Sequence, residues 1–202
     1  MKKYIHFPVL FILILTLAFS CKTKQVVTTS SDGSAPKFEV YPVGFYNLEN
    51  LYHPESTDSL RDKEFHPQGS YNWTMEKYYK KQDNMAYVLS EIAKDFGGLV
   101  AVGVSEVGNR KVLEDLLERD LLKDKNWQIV HYDSPDWRGI DVGLLYDPAR
   151  FEYVRSSSHP YPYQESFEAD VTSERFQTRD ALLVEGKIAG EKVAIMVNHW
   201  PS

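Results

Sequence analysis

Cysteine is nearly absent from this chain of 202 residues: Cys21 is the only one, so no disulfide can form within it in any compartment. Positive charge is also scarce, with 23 Lys and Arg against 29 Asp and Glu, a formal charge of -6. That balance excludes a protein held on nucleic acid by a broad basic surface. It leaves room for an enzyme that meets phosphates at one metal-loaded cleft, because hard divalent cations require acidic oxygens. No apolar run reaches the roughly 20 residues that span a bilayer as a helix. The longest, Phe7–Phe19, is about a dozen residues, and no segment is repeated. Aromatics, in contrast, are plentiful, with 13 Tyr, 10 Phe and 4 Trp.

The amino terminus has the order of a signal peptide: Lys2 and Lys3, the short apolar run, then Leu17-Ala18-Phe19-Ser20-Cys21. The last five residues resemble the lipobox of bacterial lipoproteins, although Ala18 and Phe19 depart from its commonest form. The resemblance implies cleavage after residue 20, lipidation of Cys21, and an exported protein anchored to a membrane. Loss of Lys2 and Lys3 with the signal would take the charge to -8. Residues 22–36 (KTKQVVTTSSDGSAP) are small and polar and are expected to be a spacer between lipid and domain.

Residues 37–202 are enough for one domain with its own core. Residues 37–46 alternate as a strand, with Asn47 at its end and a long Asp-, Pro-, Ser- and Gly-rich loop running to Asn72. Met75, Tyr78, Tyr79, Met85, Val88, Leu89, Ile92 and Phe96 fall at helical spacing between Thr74 and Phe96, and Gly97-Gly98 follows as a stop. The continuous apolar run Leu99–Val104 reads as a strand buried on both faces. A helix is expected from about Asn109 past Leu117, with strands at Trp127–Tyr132 and Ile140–Tyr146. A hairpin is expected from Ala181–Ile188 and Val193–Asn198, and His159–Tyr163 as a loop. Strands alternating with helices and ending in hairpins indicate an α/β domain with mixed strand directions.

Polar residues gather at the strand ends, where α/β folds place their sites. They are Asn47, Glu106 after the apolar strand, Arg138 and Asp141 beside the next, Arg179 before the hairpin, and Asn198-His199 at its close. A carboxylate, amides, arginines and a histidine on one rim suit a divalent metal beside a phosphate. The carboxylate holds the cation, arginines neutralise phosphate oxygens, and histidine exchanges protons near neutral pH.

The ordered set Asn47-Leu48-Glu49-Asn50-Leu51, Ser105-Glu106-Val107, Arg138-Gly139-Ile140-Asp141-Val142 and Asn198-His199-Trp200 resembles the endonuclease/exonuclease/phosphatase family. Asp62-Lys63-Glu64-Phe65, Gly69, Trp73-Thr74 and Lys77-Tyr78 narrow the likeness to a secreted or lipoprotein branch of Bacteroidetes-type bacteria. The resemblance implies a DNase I-like four-layer α/β sandwich with two mixed sheets face to face. It makes Glu106 the main metal ligand with Asn47 beside it, and His199, flanked by Asn198, the histidine at the scissile bond. Arg138, Asp141 and Arg179 line the same cleft. Mg²⁺ or Mn²⁺ would support attack by water on a phosphoester in DNA, RNA, a nucleotide or a phospholipid.

Two departures bear on activity. The family's later Asp-x-Asn and Asp-His motifs do not follow His199, and Asp58, Asp62 and Asp83-Asn84 are misplaced to replace them. His53 also stands where the branch often has an acidic residue. On this reading the chain is the amino-terminal portion of an endonuclease-like phosphodiesterase and is expected to be inactive by itself. A phosphatase or phospholipase of the same family, and a non-catalytic lipoprotein module binding through the same rim, stay open. Nothing in the sequence points to a protein partner.

Overall fold

The computed structural model describes residues 38–55, 63–161 and 178–200. The expected signal peptide, Cys21 and spacer lie outside the described residues, as do Asp58, Asp62 and Pro162-Tyr163.

The apolar run behaves as its composition requires. Strand β2 (Ala101–Val107) is buried almost throughout and lies between β1 (Val43–Leu51), its parallel neighbour, and β4 (Asp141–Tyr146), its antiparallel one. Strand β3 (Gln128–His131) closes the order β1-β2-β4-β3. A parallel β1–β2 pair needs a crossover, and helix α1 (Met75–Glu91) supplies it. Thr74 caps α1 by accepting from the Lys77 N–H. The helix ends at Glu91, short of the expected Phe96: Ala93 takes a left-handed φ of 56° and a single 3₁₀ turn occupies Lys94–Phe96. Arg150 holds that turn by donating to the carbonyls of Phe96, Gly97 and Gly98.

Helix α2 (Arg110–Leu117) follows β2, with Asn109 as its cap. Both helices cover one face of the mixed sheet. Tyr78, Met85 and Leu89 of α1 and Val112, Leu113 and Leu116 of α2 pack with Leu48, Val102, Val104 and Leu145. The opposite face meets a second sheet made of β5 (Phe151–His159), β6 (Ala181–Ile188) and β7 (Glu191–Val197), in that order. Ala101, Val130, Val142, Leu144, Phe151, Leu182, Val184 and Val197 fill the space between the sheets. Each buried aliphatic side chain contributes about 1.5–3 kcal/mol, so this layer fixes how the sheets sit on one another.

The α/β class with two facing sheets stands. The second sheet differs from the expected mixed one, since its described strands pair antiparallel throughout. Among the described residues the helices lie on the first sheet only. The β6–β7 hairpin turns through Ala189-Gly190, both at positive φ as a type I′ turn requires. Strand β5 was not expected, and His159 is its last residue instead of the start of a loop. Strand β1 begins later than expected and runs past Asn47 to Leu51.

Candidate active site

Glu106 stands where β2 breaks register with both neighbours. Against β4, Ser105 pairs with Val142 and Val107 with Asp141, so Glu106 is an extra residue. Against β1, Asn47 pairs with Ser105 and Leu51 with Val107, so Leu48, Glu49 and Asn50 bulge opposite it. Such bulges re-aim a side chain out of the pleat. The backbone of Glu106 is left-handed, with φ 59°, and those of Glu49 and Asn50 are too, at 53° and 56°. That conformation costs a residue with a Cβ about 1–2 kcal/mol. Leu48 and Leu51, both fully buried, anchor the two ends of the β1 bulge.

The result is a carboxylate held from two sides. Asn47 Nδ2 donates to Glu106 Oε1 at 3.0 Å and the Asn50 N–H donates to Oε2 at 2.8 Å. Asn47 Oδ1 accepts from the Glu49 N–H at 2.7 Å, which fixes which end of the amide faces Glu106. His199 Nε2 lies 3.5 Å from Glu106 Oε1. Lys81 of α1 completes the surround: its ammonium donates to the Glu49 carbonyl. Burial lowers its pKa, against the opposing pull of Glu49 and Glu106.

His199 reaches this position because its backbone is gripped from behind. Arg179 is buried and its three donor atoms are all engaged. Nε donates to the His199 carbonyl at 2.6 Å, Nη2 to the Trp200 carbonyl at 2.7 Å, and Nη1 to Asp136 Oδ2 at 3.1 Å. Burial, followed by the Arg179 charge, holds the His199 pKa below the ordinary histidine value. The Arg138 guanidinium adds to that lowering and stays partly exposed, 3.8 Å from Asp136 Oδ1. Asn198 is half-buried beside them and makes no side-chain hydrogen bond among the described residues.

Asp141 has a different setting. It is buried, accepting from the Ser134 hydroxyl at 2.6 Å and its N–H at 2.9 Å, and lying 3.0 Å from His131 Nε2. His131, Asp133 and Asp141 are the described acidic and histidine groups close enough together to hold an ion as a trio. Asp141 already has its oxygens filled, however, and the Asp133 side chain is 92% exposed. Glu106 fits a hard divalent cation better, because the Asn47 and Asn50 N–H donors pre-orient its two oxygens beside His199.

A model of the endonuclease/exonuclease/phosphatase family matches residues 42–202. The chain belongs to that family. Among solved structures it is similar to a humanized D. rerio TDP2 (12% identity, TM-score 0.41, covering 75% of this chain and 44% of that one). It is also similar to C. elegans TDP2 (15%, TM-score 0.43, 64% and 32%) and to D. rerio TDP2 complexed with a single-strand DNA product (14%, TM-score 0.37, 55% and 36%). The chain spans less than half the length of each. No curated protein sequence matches it.

Of the residues expected in this family's site, the structure brings together Asn47, Glu106, Arg138 and His199, with Arg179 behind them. Asp136, the Asn50 N–H and Lys81 belong to the same assembly and were not anticipated. Asp136 carries a weak signal, Ser134-Pro135-Asp136 before Trp137-Arg138-Gly139, which marks a turn and not an ion pair. The Asn50 contribution comes from backbone and has no sequence signal at all.

Proposed function

We propose that this chain carries the metal and phosphate site of a phosphodiesterase acting on nucleic acids, with Mg²⁺ or Mn²⁺ as cofactor. One observation carries the proposal: a carboxylate on strained, doubly bulged backbone, clamped by an amide and a backbone N–H, with a histidine 3.5 Å away. Strain of this kind persists where the surrounding structure over-determines it, and such places are commonly functional. Glu106 would hold the ion, and Asn47 and Asn50 keep its carboxylate from rotating. When bound, the ion supplies Lewis-acid polarisation of the phosphorus centre and of a water molecule. His199, biased toward the neutral form, can hold a proton on Nε2 at the rim or accept one there. Arg138 has free N–H donors for a phosphate oxygen.

The test is hydrolysis of DNA, RNA and bis(p-nitrophenyl) phosphate by the full-length protein with Mg²⁺. Glu106→Gln, which retains size, is expected to lower the rate at least about 100-fold, the scale of losing one preorganised electrostatic group. EDTA is expected to abolish it. Activity that survives both would sink the assignment. We also propose that the protein works outside the cytoplasm on a lipid anchor; metabolic palmitate labelling that persists in Cys21→Ser would refute the anchor.

A further inference from the structure

Helix α1 presents a lysine-rich face that meets the Glu106 assembly at one end, through Lys81. Lys77, Lys80, Lys81 and Asn84 recur at positions i, i+3, i+4 and i+7, so they project on one side of the helix. With Asn72, Trp73, Thr74 and Glu76 they line an open depression of about 550 Å³. Three ammoniums meet one carboxylate in that lining, that of Glu76, so the depression is basic on balance. Several cations elsewhere on the helices and turns are paired: Lys94 with Glu91, Arg110 with Glu114, Lys111 with Asp115, Lys123 with Asp120. Among the described residues none of Lys77, Lys80 and Lys81 is within ion-pair distance of a carboxylate. Lys77 donates to the Tyr71 carbonyl at 2.8 Å and Lys81 to the Glu49 carbonyl. Each ammonium has three donors, so two remain on each of those lysines. Three ammoniums against the single Glu76 carboxylate in the lining, on a chain of charge -6, suit an anionic ligand.

The placement says which anion. Lys81 both lines the depression and interacts with Glu106, so the lysines run from the Glu106 site outward along α1. Positions four apart on a helix are separated by about 6 Å along its axis, a spacing suited to successive phosphates of an extended strand. Tyr71, 54% exposed and stacked on Phe65 at 4.7 Å, stands beside Lys77 as a face for a base. We propose that Lys77, Lys80 and Lys81 bind the phosphates next to the scissile one in a single-stranded nucleic acid. This rests on the phosphodiesterase reading and narrows its substrate to a single strand.

The experiment is fluorescence anisotropy of a labelled single-stranded DNA octamer on the full-length protein in EDTA, over 50–200 mM salt. Each phosphate contact in a single strand adds about 0.7 to the slope of log K against log salt. Lys77→Gln and Lys80→Gln are each expected to reduce the slope by about 0.7 and affinity at 50 mM by several-fold, with unchanged thermal unfolding. Lys125→Gln, the same charge change in the turn after α2, is expected to retain the slope. Unchanged slopes in the first two variants overturn the proposal. So does loss of binding to phosphatidylglycerol vesicles in those variants with the octamer unaffected, which would make the face a membrane contact. Hydrolysis of bis(p-nitrophenyl) phosphate is followed in parallel: its absence in the wild type counts against the catalytic reading, whereas octamer binding alone judges the subsite.

Discussion

Arg179→Met probes the scaffold behind the site. The guanidinium side chain is 6% exposed and its partner Asp136 carboxylate fully buried, so the substitution leaves a buried charge without a counter-ion. It also strips hydrogen-bond donors from the carbonyls of His199 and Trp200. Breaking a buried pair from one side costs about 3–5 kcal/mol, a large part of the roughly 5–15 kcal/mol of a typical domain. At about 2–4 °C per kcal/mol for a chain of this size, Tm should fall by roughly 6–20 °C. Thermal unfolding followed by tryptophan fluorescence measures that shift and urea unfolding the free-energy cost, with Asp136→Asn and the double variant completing a cycle. If the two residues act as a unit, the double variant loses less than the sum of the singles, by about 0.5–3 kcal/mol. A cost below about 1 kcal/mol for Arg179→Met, or strict additivity, would refute the claim that this pair holds His199 in place.

Three further outcomes follow from the packing. Glu106→Gly should be more stable than Glu106→Ala by about 1–2 kcal/mol in urea titration, since both lose the carboxylate and only alanine has a Cβ at φ 59°. Gly103→Ala should cost about 1–3 kcal/mol by calorimetry, because the new methyl meets both Val197 methyls at 3.0 Å. Tyr78→Phe should cost about 1 kcal/mol in urea titration, because the buried hydroxyl donates to Asp115 at 2.8 Å.

Where sequence and structure agree, the cause is hydrophobic patterning strong enough to survive any context. Leu99–Val104 has no polar face and became the strand buried from both sides; Tyr78, Met85 and Leu89 recur at helical spacing and became the buried stripe of α1. Strand β5 leaves little trace in the sequence because Phe151–His159 holds a single fully buried residue and three serines, and its order comes from pairing with β6 across a register shift at Val154. The extent of β1 is hidden for a related reason. The Leu48–Asn50 bulge interrupts the period of two, so the strand's continuation to Leu51 does not look like a strand. Glu106, Asn47, Arg138 and His199 were legible as short motifs. What arranges them was not: the left-handed backbone of a glutamate leaves no compositional trace, and an ion pair between Asp136 and Arg179 spans 43 positions.

The site depends on the fit of one sheet against the other. Glu106 belongs to the mixed sheet and His199 follows the antiparallel one, so their 3.5 Å approach is set by inter-sheet packing and not by either strand alone. The two sheets come close where Val197 packs on Gly103, with both valine methyls 3.0 Å from the place a Cβ on residue 103 would occupy. Val197 is two residues before His199 and Gly103 three before Glu106. A side chain at position 103 would therefore push β7 outward at the place that carries His199, while Arg179 and Asp136 pull its carbonyl back toward the first sheet. Because close-packed interiors transmit displacement instead of absorbing it, the glycine and the buried ion pair act as two halves of one spacing device. Loss of either should lengthen the Glu106–His199 distance before it unfolds the chain.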